Sequence, residues 1–285
     1  MNGDQEIREI NIEGLKPFAK GGTGECFRLD EDNILKLYYD EYPEEFILGE
    51  KERARAAFIA GAPTAISYNI VSAGNRKGIV YELVRGRNVS ETITADPSLA
   101  YKMGEQTALV ALKLHTAPVG DVELPRSTSI YRKAALSITY APEEVKAKIL
   151  SVIDKLDEYN CYVHGDFHVN NIIVTDEALM LIDMGEFSVG CPFYDVASNY
   201  FSLFESPEAK AGGRNPFTGL DETESSSFWD GFKKAYFKEG ISEEDEDLLR
   251  KTIVIRMIAF DYLRGHKYEH SYVSYVHDRV LKTFG

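Results

Sequence analysis

The sequence predicts an α+β chain in two unequal parts: a small N-terminal part over residues 1–84, with an antiparallel sheet and one helix, and a larger, mainly helical part over residues 85–285. Three observations predict it. The first third is a series of short apolar, partly β-branched runs separated by turns, with one helical pattern among them. From about Pro97 onward, helical patterns dominate. One hairpin pattern, Ile172-Ile173-Val174 and Leu179-Met180-Leu181-Ile182, interrupts the helices directly after a run rich in His, Asp and Asn.

In the small part, Phe18 to Leu29 reads as a glycine-rich turn followed by a strand. At Gly21-Gly22-Thr23-Gly24 the missing side chains let backbone N–H groups approach an anion such as a phosphate, and an ordinary hairpin turn has the same pattern. The turn is neither Gly-x4-Gly-Lys-Ser/Thr nor Gly-x-Gly-x-x-Gly. Asn33 to Tyr38 is a strand with one charged residue, Lys36, among apolar neighbours. An inward lysine needs an anionic partner. Ile47, Glu50, Ala54 and Phe58 recur at helical intervals up to about Gly61, which puts Glu50 on the inward stripe, with Glu52 as the alternative. A strand lysine paired with a helix glutamate and touching the α- and β-phosphates is how kinases hold a nucleotide. Gly78 to Gly86 reads as a buried strand ending in a bend that joins the two parts, where the backbone of Glu82 and Val84 could pair with a base edge.

In the large part, helices are expected over Pro97–His115, over Glu143 to about Glu158 with Pro142 suited to the first turn, and from Asp195 to about Glu205. Phe204 to Ser225 reads as loop. Further helices are expected over Ser226–Glu239, over Glu243–Gly265 and at the C-terminus. Tyr262, Tyr268, Tyr272 and Tyr275 could line a pocket for a cation, although their spacing is that of ordinary helix packing.

The chemistry concentrates in His164-Gly165-Asp166-Phe167-His168-Val169-Asn170-Asn171 and in Leu181-Ile182-Asp183-Met184-Gly185, whose aspartate lies twelve residues after Asn171. Asp166 can accept the proton of an incoming hydroxyl, and Asn171 and Asp183 can hold a cation. With the hairpin centred near Glu177, residue 172 faces 182 and Asn171 faces Asp183, with Cβ atoms roughly 5 Å apart. His164 is expected to brace the loop. This is equipment for moving a phosphoryl group onto a hydroxyl.

These residues resemble the aminoglycoside phosphotransferase and choline kinase-like family, from about Gly21 to Ala197. His164 to Asn171 is similar to the family's His-Gly-Asp-Leu-His-Pro-Gly-Asn, and Ile182-Asp183-Met184 stands where it has Ile-Asp-Trp. Tyr194-Asp195-Val196-Ala197 matches Tyr-Asp-Leu-Ala, Gly61-Ala62-Pro63-Thr64 resembles Gly-Val-Pro-Val-Pro with Ala65 in place of the second proline, and Leu114-His115 ends the helix before the catalytic loop. The resemblance implies a two-lobed protein kinase-like fold and an enzyme that uses Mg²⁺ and ATP or GTP. It implies Asp166 as base, Asn171 and Asp183 as metal ligands, Lys36 with Glu50 as the phosphate-positioning pair, and Asp195 as a structural acid. Val169-Asn170 in place of Pro-Gly, and Met184 in place of the aromatic, bear on the acceptor subgroup.

Two other readings use the same residues. His164, Asp166 and His168 alternate, so on a regular strand they could ligate zinc or manganese in a metal-dependent hydrolase. A catalytically inactive nucleotide-binding protein would keep the fold without turnover.

Composition sets outer limits. A net charge of −14 argues against a nucleic-acid partner, which needs a basic patch, and suits a cationic acceptor such as an aminoglycoside or a choline-like amine. Much of that charge sits in Glu222-Thr223-Glu224 and Glu243 to Asp247, where it serves solubility. The polar, acidic N-terminus, the lack of a long apolar run, and three scattered cysteines (Cys26, Cys161, Cys191) predict a cytoplasmic protein with free thiols and no membrane partner.

Overall fold

A computed structural model describes residues 7–121, 123–265 and 270–285. The small part is a six-stranded sheet in the order β1-β5-β6-β4-β3-β2: β1 Arg8–Glu9, β2 Ala19–Lys20, β3 Gly24–Arg28, β4 Asn33–Tyr38, β5 Ser67–Ala73 and β6 Arg76–Glu82. Its neighbours are antiparallel except β1, which joins β5 in parallel, so the sheet is mixed rather than wholly antiparallel. Alternation along β4 sorts its side chains. Leu35 and Leu37 enter a cluster with Phe27 and Val71, while Tyr38 packs with Ile79 and Ile47 on the opposite face. That opposite face carries Lys36, and helix α1 (Glu44–Ile59) covers it.

Helix α1 starts after Pro43 with Glu44 and Glu45 in its first turn, where acids suit the helix dipole. Its buried stripe is Ile47, Glu50, Ala54 and Ala57; Phe58, expected on that stripe, is exposed. The small Ala54, Ala56 and Ala57 side chains let the helix settle into the core of the large part.

A short linker crosses to the large part. Gly86 passes so close to the Val174 carbonyl that a Cβ there would collide with it. Then follow β7 (Arg87–Asn88), α2 (Val89–Ala95), α3 (Ala100–His115), α4 (Thr128–Ser137) and α5 (Glu143–Asp157). Residues Pro97–Leu99, expected as the first turn of α3, form a separate 3₁₀ turn capped by Asp96. The sequence reading missed α2, which is closed by a capping box between Asn88 and Glu91, and α4. Strands β8 (Cys161–Val163), β9 (Ile172–Val174), β10 (Leu179–Leu181) and β11 (Ser188–Gly190) form two small sheets, β10-β9-β7 and β11-β8.

Helix α6 (Phe193–Tyr200) runs on as a π-helix over Phe201–Glu205. The expected loop after it contains α7 (Pro207–Lys210), and then α8 (Glu222–Tyr236), α9 (Glu243–Leu263) and α10 (His270–Phe284) complete the chain. The acidic runs are helix starts: Asp221 and Glu224 form a capping box on α8, and Ser242 caps α9. One large core joins α3, α4, α5, α6, α8, α9 and α10 to Phe167, Val169, Ile172, Leu181, Met184 and Phe187 around the catalytic-type loop. Tyr272 and Tyr275 turn their hydroxyls to Glu205, whereas Tyr268 lies outside the described residues.

Candidate active site

The Lys36 ammonium lies 2.6 Å from Glu50 Oε1 and 2.8 Å from Asp183 Oδ1. Glu50 is the partner; Glu52 lies on the exposed side of α1, beside Lys51 and Arg55. Burial by itself would depress the Lys36 ammonium, but Asp183 and Glu50 together hold it well above the usual lysine range. A small-part strand, a small-part helix and a large-part loop therefore meet at one charged junction.

Asp183 is the single non-glycine residue with positive φ among those described (φ 59°, ψ 54°). Such a conformation is uncommon outside glycine and best tolerated by Asn and Asp, and it clusters at functional sites. It turns the chain out of β10 into the 3₁₀ turn Met184–Glu186. Gly185 then packs against Glu50 so tightly that a Cβ would lie 2.9 Å from its carboxyl carbon, and Arg53 donates to the Gly185 carbonyl. This segment is bolted to α1.

The hairpin register differs from the expected one. Thr175 N–H donates to the Ala178 carbonyl, which closes a two-residue turn at Asp176–Glu177 and centres the hairpin between those residues. Ile172 therefore faces Leu181 rather than Ile182, and Asn171 pairs with Ile182 instead of Asp183. Asp183 lies one residue further along, and its left-handed backbone, not cross-strand pairing, sets where its carboxylate goes.

Three braces hold the preceding loop. Asp195, fully buried, accepts the N–H groups of His164 (2.7 Å) and Gly165 (2.9 Å), and lies 3.0 Å from His115 Nε2. His164 accepts from Asp166 N–H at Nδ1 and so donates from Nε2 to the Ile182 carbonyl at 3.0 Å. Gly165 has φ +91° and packs on the Glu186 backbone, which breaks any extended run there. His168 accepts the Asn170 N–H at Nδ1, and its Nε2 lies 3.2 Å from Asp166 Oδ2. With His164 spent on backbone, the His164/Asp166/His168 set does not face one point, and no group of three metal-ligating His, Cys, Asp or Glu occurs among the described residues. The zinc-type hydrolase reading loses its geometry.

Asp166 is more heavily engaged than the sequence suggested. Oδ1 pairs with Arg256 Nη2 at 3.0 Å, and Asn171 Nδ2 donates to the Asp166 carbonyl at 2.9 Å. Burial would raise this carboxyl, but His168 and Arg256 outweigh it and hold Asp166 well below the ordinary carboxylate range. Glu186, also missed by the sequence reading, lies within electrostatic reach of Asp166, Asp183 and Arg256. Its surroundings and the negative charge of Asp166 push it up to about 7, although Arg256 and Arg53 partly offset this. Arg256 sits on α9, 90 residues from Asp166 in sequence, where no local motif could have pointed to it.

With its amide nitrogen committed to Asp166, Asn171 has Oδ1 left to offer, and Asp183 offers a carboxylate that is 47% exposed. One amide oxygen and one carboxylate suit Mg²⁺, which takes few protein ligands and completes its shell with phosphate and water. At the glycine-rich turn, Tyr39 and Tyr42 hydroxyls donate to the Gly21 and Gly22 carbonyls at 3.3 and 3.2 Å, while the N–H groups of Gly22 and Thr23 have no acceptor among the described residues. At the linker, the Glu82 N–H donates to Ile66 and the Leu83 N–H to Asp32, so Glu82 retains only its carbonyl for a base edge.

The profile of the phosphotransferase enzyme family matches residues 14–221. The chain belongs to that family. Among curated proteins none matches this phosphotransferase in sequence. Solved structures do match its fold. The aminoglycoside phosphotransferase APH(2'')-Ib, ADP-bound, aligns over 94% of this chain and 92% of its own, at 19% identity and TM-score 0.61. Amicoumacin kinase hAmiN, in complex with AMP-PNP, Ca²⁺ and Ami, aligns over 97% of this chain and 90% of its own, at 13% identity and TM-score 0.60. Choline kinase from Cryptosporidium parvum aligns over 94% and 88%, at 14% identity and TM-score 0.53. The two-lobed, kinase-like fold expected from the sequence is thus the fold of this phosphotransferase. No helix among its described residues is long and apolar enough to cross a membrane.

Proposed function

We propose that the chain is an Mg²⁺-dependent O-phosphotransferase that moves the γ-phosphoryl group of ATP or GTP onto a hydroxyl of a small molecule, such as an aminoglycoside, a choline-like amine or a sugar derivative. The observation that carries this reading is the junction of Lys36, Glu50 and Asp183 beside Asp166 and Asn171. Residues 1–84 serve the nucleotide, and residues 85–285 supply the chemistry and the acceptor surface. Lys36, steadied by Glu50, grips the α- and β-phosphates; the N–H groups of Gly22 and Thr23 face phosphate oxygens; the Glu82 carbonyl and Val84 N–H meet the base.

Asn171 and Asp183 hold the metal, which neutralises charge on the phosphates when bound. Asp166 orients the acceptor hydroxyl and takes its proton as the oxygen–phosphorus bond forms. A positioned base of this kind contributes about 10²- to 10⁴-fold. Electrostatic positioning supplies most of the remainder. The relatives named above include kinases of aminoglycosides and of choline, and the acidic balance of the chain fits a cationic acceptor.

The deciding experiment is a nucleotide-consumption screen against aminoglycosides, choline, ethanolamine and hydroxylated sugars, with Asp166→Asn as the blank. Acceptor-stimulated consumption that vanishes in the blank supports the reading. No stimulation by any member, together with no Mg²⁺-linked affinity for ATP or GTP by calorimetry, ends it.

A further inference from the structure

We propose that Arg256 is a positioning residue for Asp166: carried by α9, its guanidinium fixes the plane of the carboxylate that meets the acceptor hydroxyl. The inference rests on the reading of Asp166 as the base. Nothing in the family match bears on Arg256, which lies beyond residues 14–221.

The geometry is specific. Asp166 Oδ1 takes Arg256 Nη2 at 3.0 Å, and Oδ2 faces His168 Nε2 at 3.2 Å. Asn171 Nδ2 lies a further 3.5 Å from Oδ2, so both oxygens are held against rotation, yet the side chain stays 37% exposed and lone pairs remain for a hydroxyl. His168 is itself fixed as the cap of the turn Val169–Asn171.

The state of Arg256 argues against a purely structural part. It is 6% exposed, and burying a guanidinium costs free energy unless the charge and donors are matched. Its Nε has no partner among the described residues, although buried donors are rarely left so. Its ring neighbour is Phe201, 5.9 Å from the guanidinium carbon, which supports the fork from one side. A side chain that leaves one donor unused while aiming another at Asp166 is placed for Asp166 rather than for its own satisfaction. The ion pair weakens Asp166 as a proton acceptor, so what Arg256 adds is orientation, and misplacing a reacting group by about 1 Å can cost on the order of 10²-fold.

The test uses the full chain, saturating Mg²⁺ and ATP, and the acceptor from the panel that stimulates consumption most. Arg256→Gln should lower kcat by about 10²-fold while KM for ATP and for acceptor moves less than about threefold. Arg256→Lys, which keeps the charge but not the fork, should recover part of the rate, and added guanidinium ion should partly rescue Arg256→Gln but not Asp166→Asn. In the double variant, Arg256→Gln should cost almost nothing beyond Asp166→Asn.

An unchanged kcat in Arg256→Gln overturns the proposal, as does a loss that multiplies in full on the Asp166→Asn background. Should Arg256→Gln fail to fold, wild-type kcat in Arg256→Lys overturns it instead. Wild-type turnover in Asp166→Asn sinks the base reading itself, whereas a dead Asp166→Asn beside a normal Arg256→Gln sinks only the positioning claim.

Discussion

Lys36 Nζ rests 2.8 Å from Asp183 Oδ1, so an ammonium from the small sheet neutralises an acid at the mouth of the large part. The same ammonium is held from behind by Glu50 at 2.6 Å. In the proposed function, Lys36 would serve the phosphates and Asp183 would help hold Mg²⁺, whose charge would replace the ammonium beside that acid.

Removing the ammonium leaves Glu50 and Asp183 facing each other without a counter-charge. Lys36→Ala should lower kcat/KM for ATP by about 10²- to 10³-fold, the range for losing one positioned charge. Steady-state kinetics at varied ATP read it, and a loss under tenfold would count against a phosphate role.

Asp166→Asn keeps the side-chain shape and removes the proton acceptor. Turnover should fall by about 10²- to 10⁴-fold while ATP affinity by calorimetry stays within about threefold. A parallel loss of affinity would assign Asp166 to nucleotide binding.

The two oxygen donors should differ. Asp183→Asn should abolish Mg²⁺-linked nucleotide affinity, because it removes the charged ligand. Asn171→Ala should raise the Mg²⁺ concentration needed for half-maximal rate by about tenfold, in the range expected when a metal site loses one supporting group. It should also loosen Asp166, whose carbonyl Asn171 holds at 2.9 Å. Magnesium titrations of nucleotide binding separate the two variants.

Asp195 is fully buried and satisfies two backbone N–H groups and His115. Asp195→Ala should destabilise the fold by about 3–5 kcal/mol, as breaking a buried charged network does. Denaturant melts measure it, and an unchanged midpoint would show that the loop is braced elsewhere.

Glu186 should leave a signature in pH. Its folded-state pKa is pushed up to about 7, above the unfolded carboxyl value. The folded chain therefore binds the extra proton between roughly pH 4.5 and 7, and this group's contribution to stability is present below that window and lost as pH rises through it. Melting temperature measured without Mg²⁺ should show a component that falls from pH 5 to 8, and Glu186→Gln should flatten it.

Much of the site was legible because its parts are close in the chain. The loop from His164 to Asn171 and the acid at Asp183 lie within twenty residues, and periodicity put Lys36 and Glu50 on facing sides of a strand and a helix. The hairpin register was not legible, since a shift of half a residue in the turn centre moves every pair. Helix α2 was missed because seven residues carry too little periodic signal, and the apolar faces of α4 are read only against α5 and α9.

By itself the sequence determined the α+β order, the kinase-like motifs and the identity of the charged groups, because local spacing and residue chemistry suffice for these. Only the tertiary structure decided that Glu50 rather than Glu52 meets Lys36, that Asp183 adopts a left-handed backbone, and that Arg256 and Glu186 flank Asp166. Those relationships arise from packing between elements far apart in the chain, where the burial of charge forces pairings that no local pattern encodes.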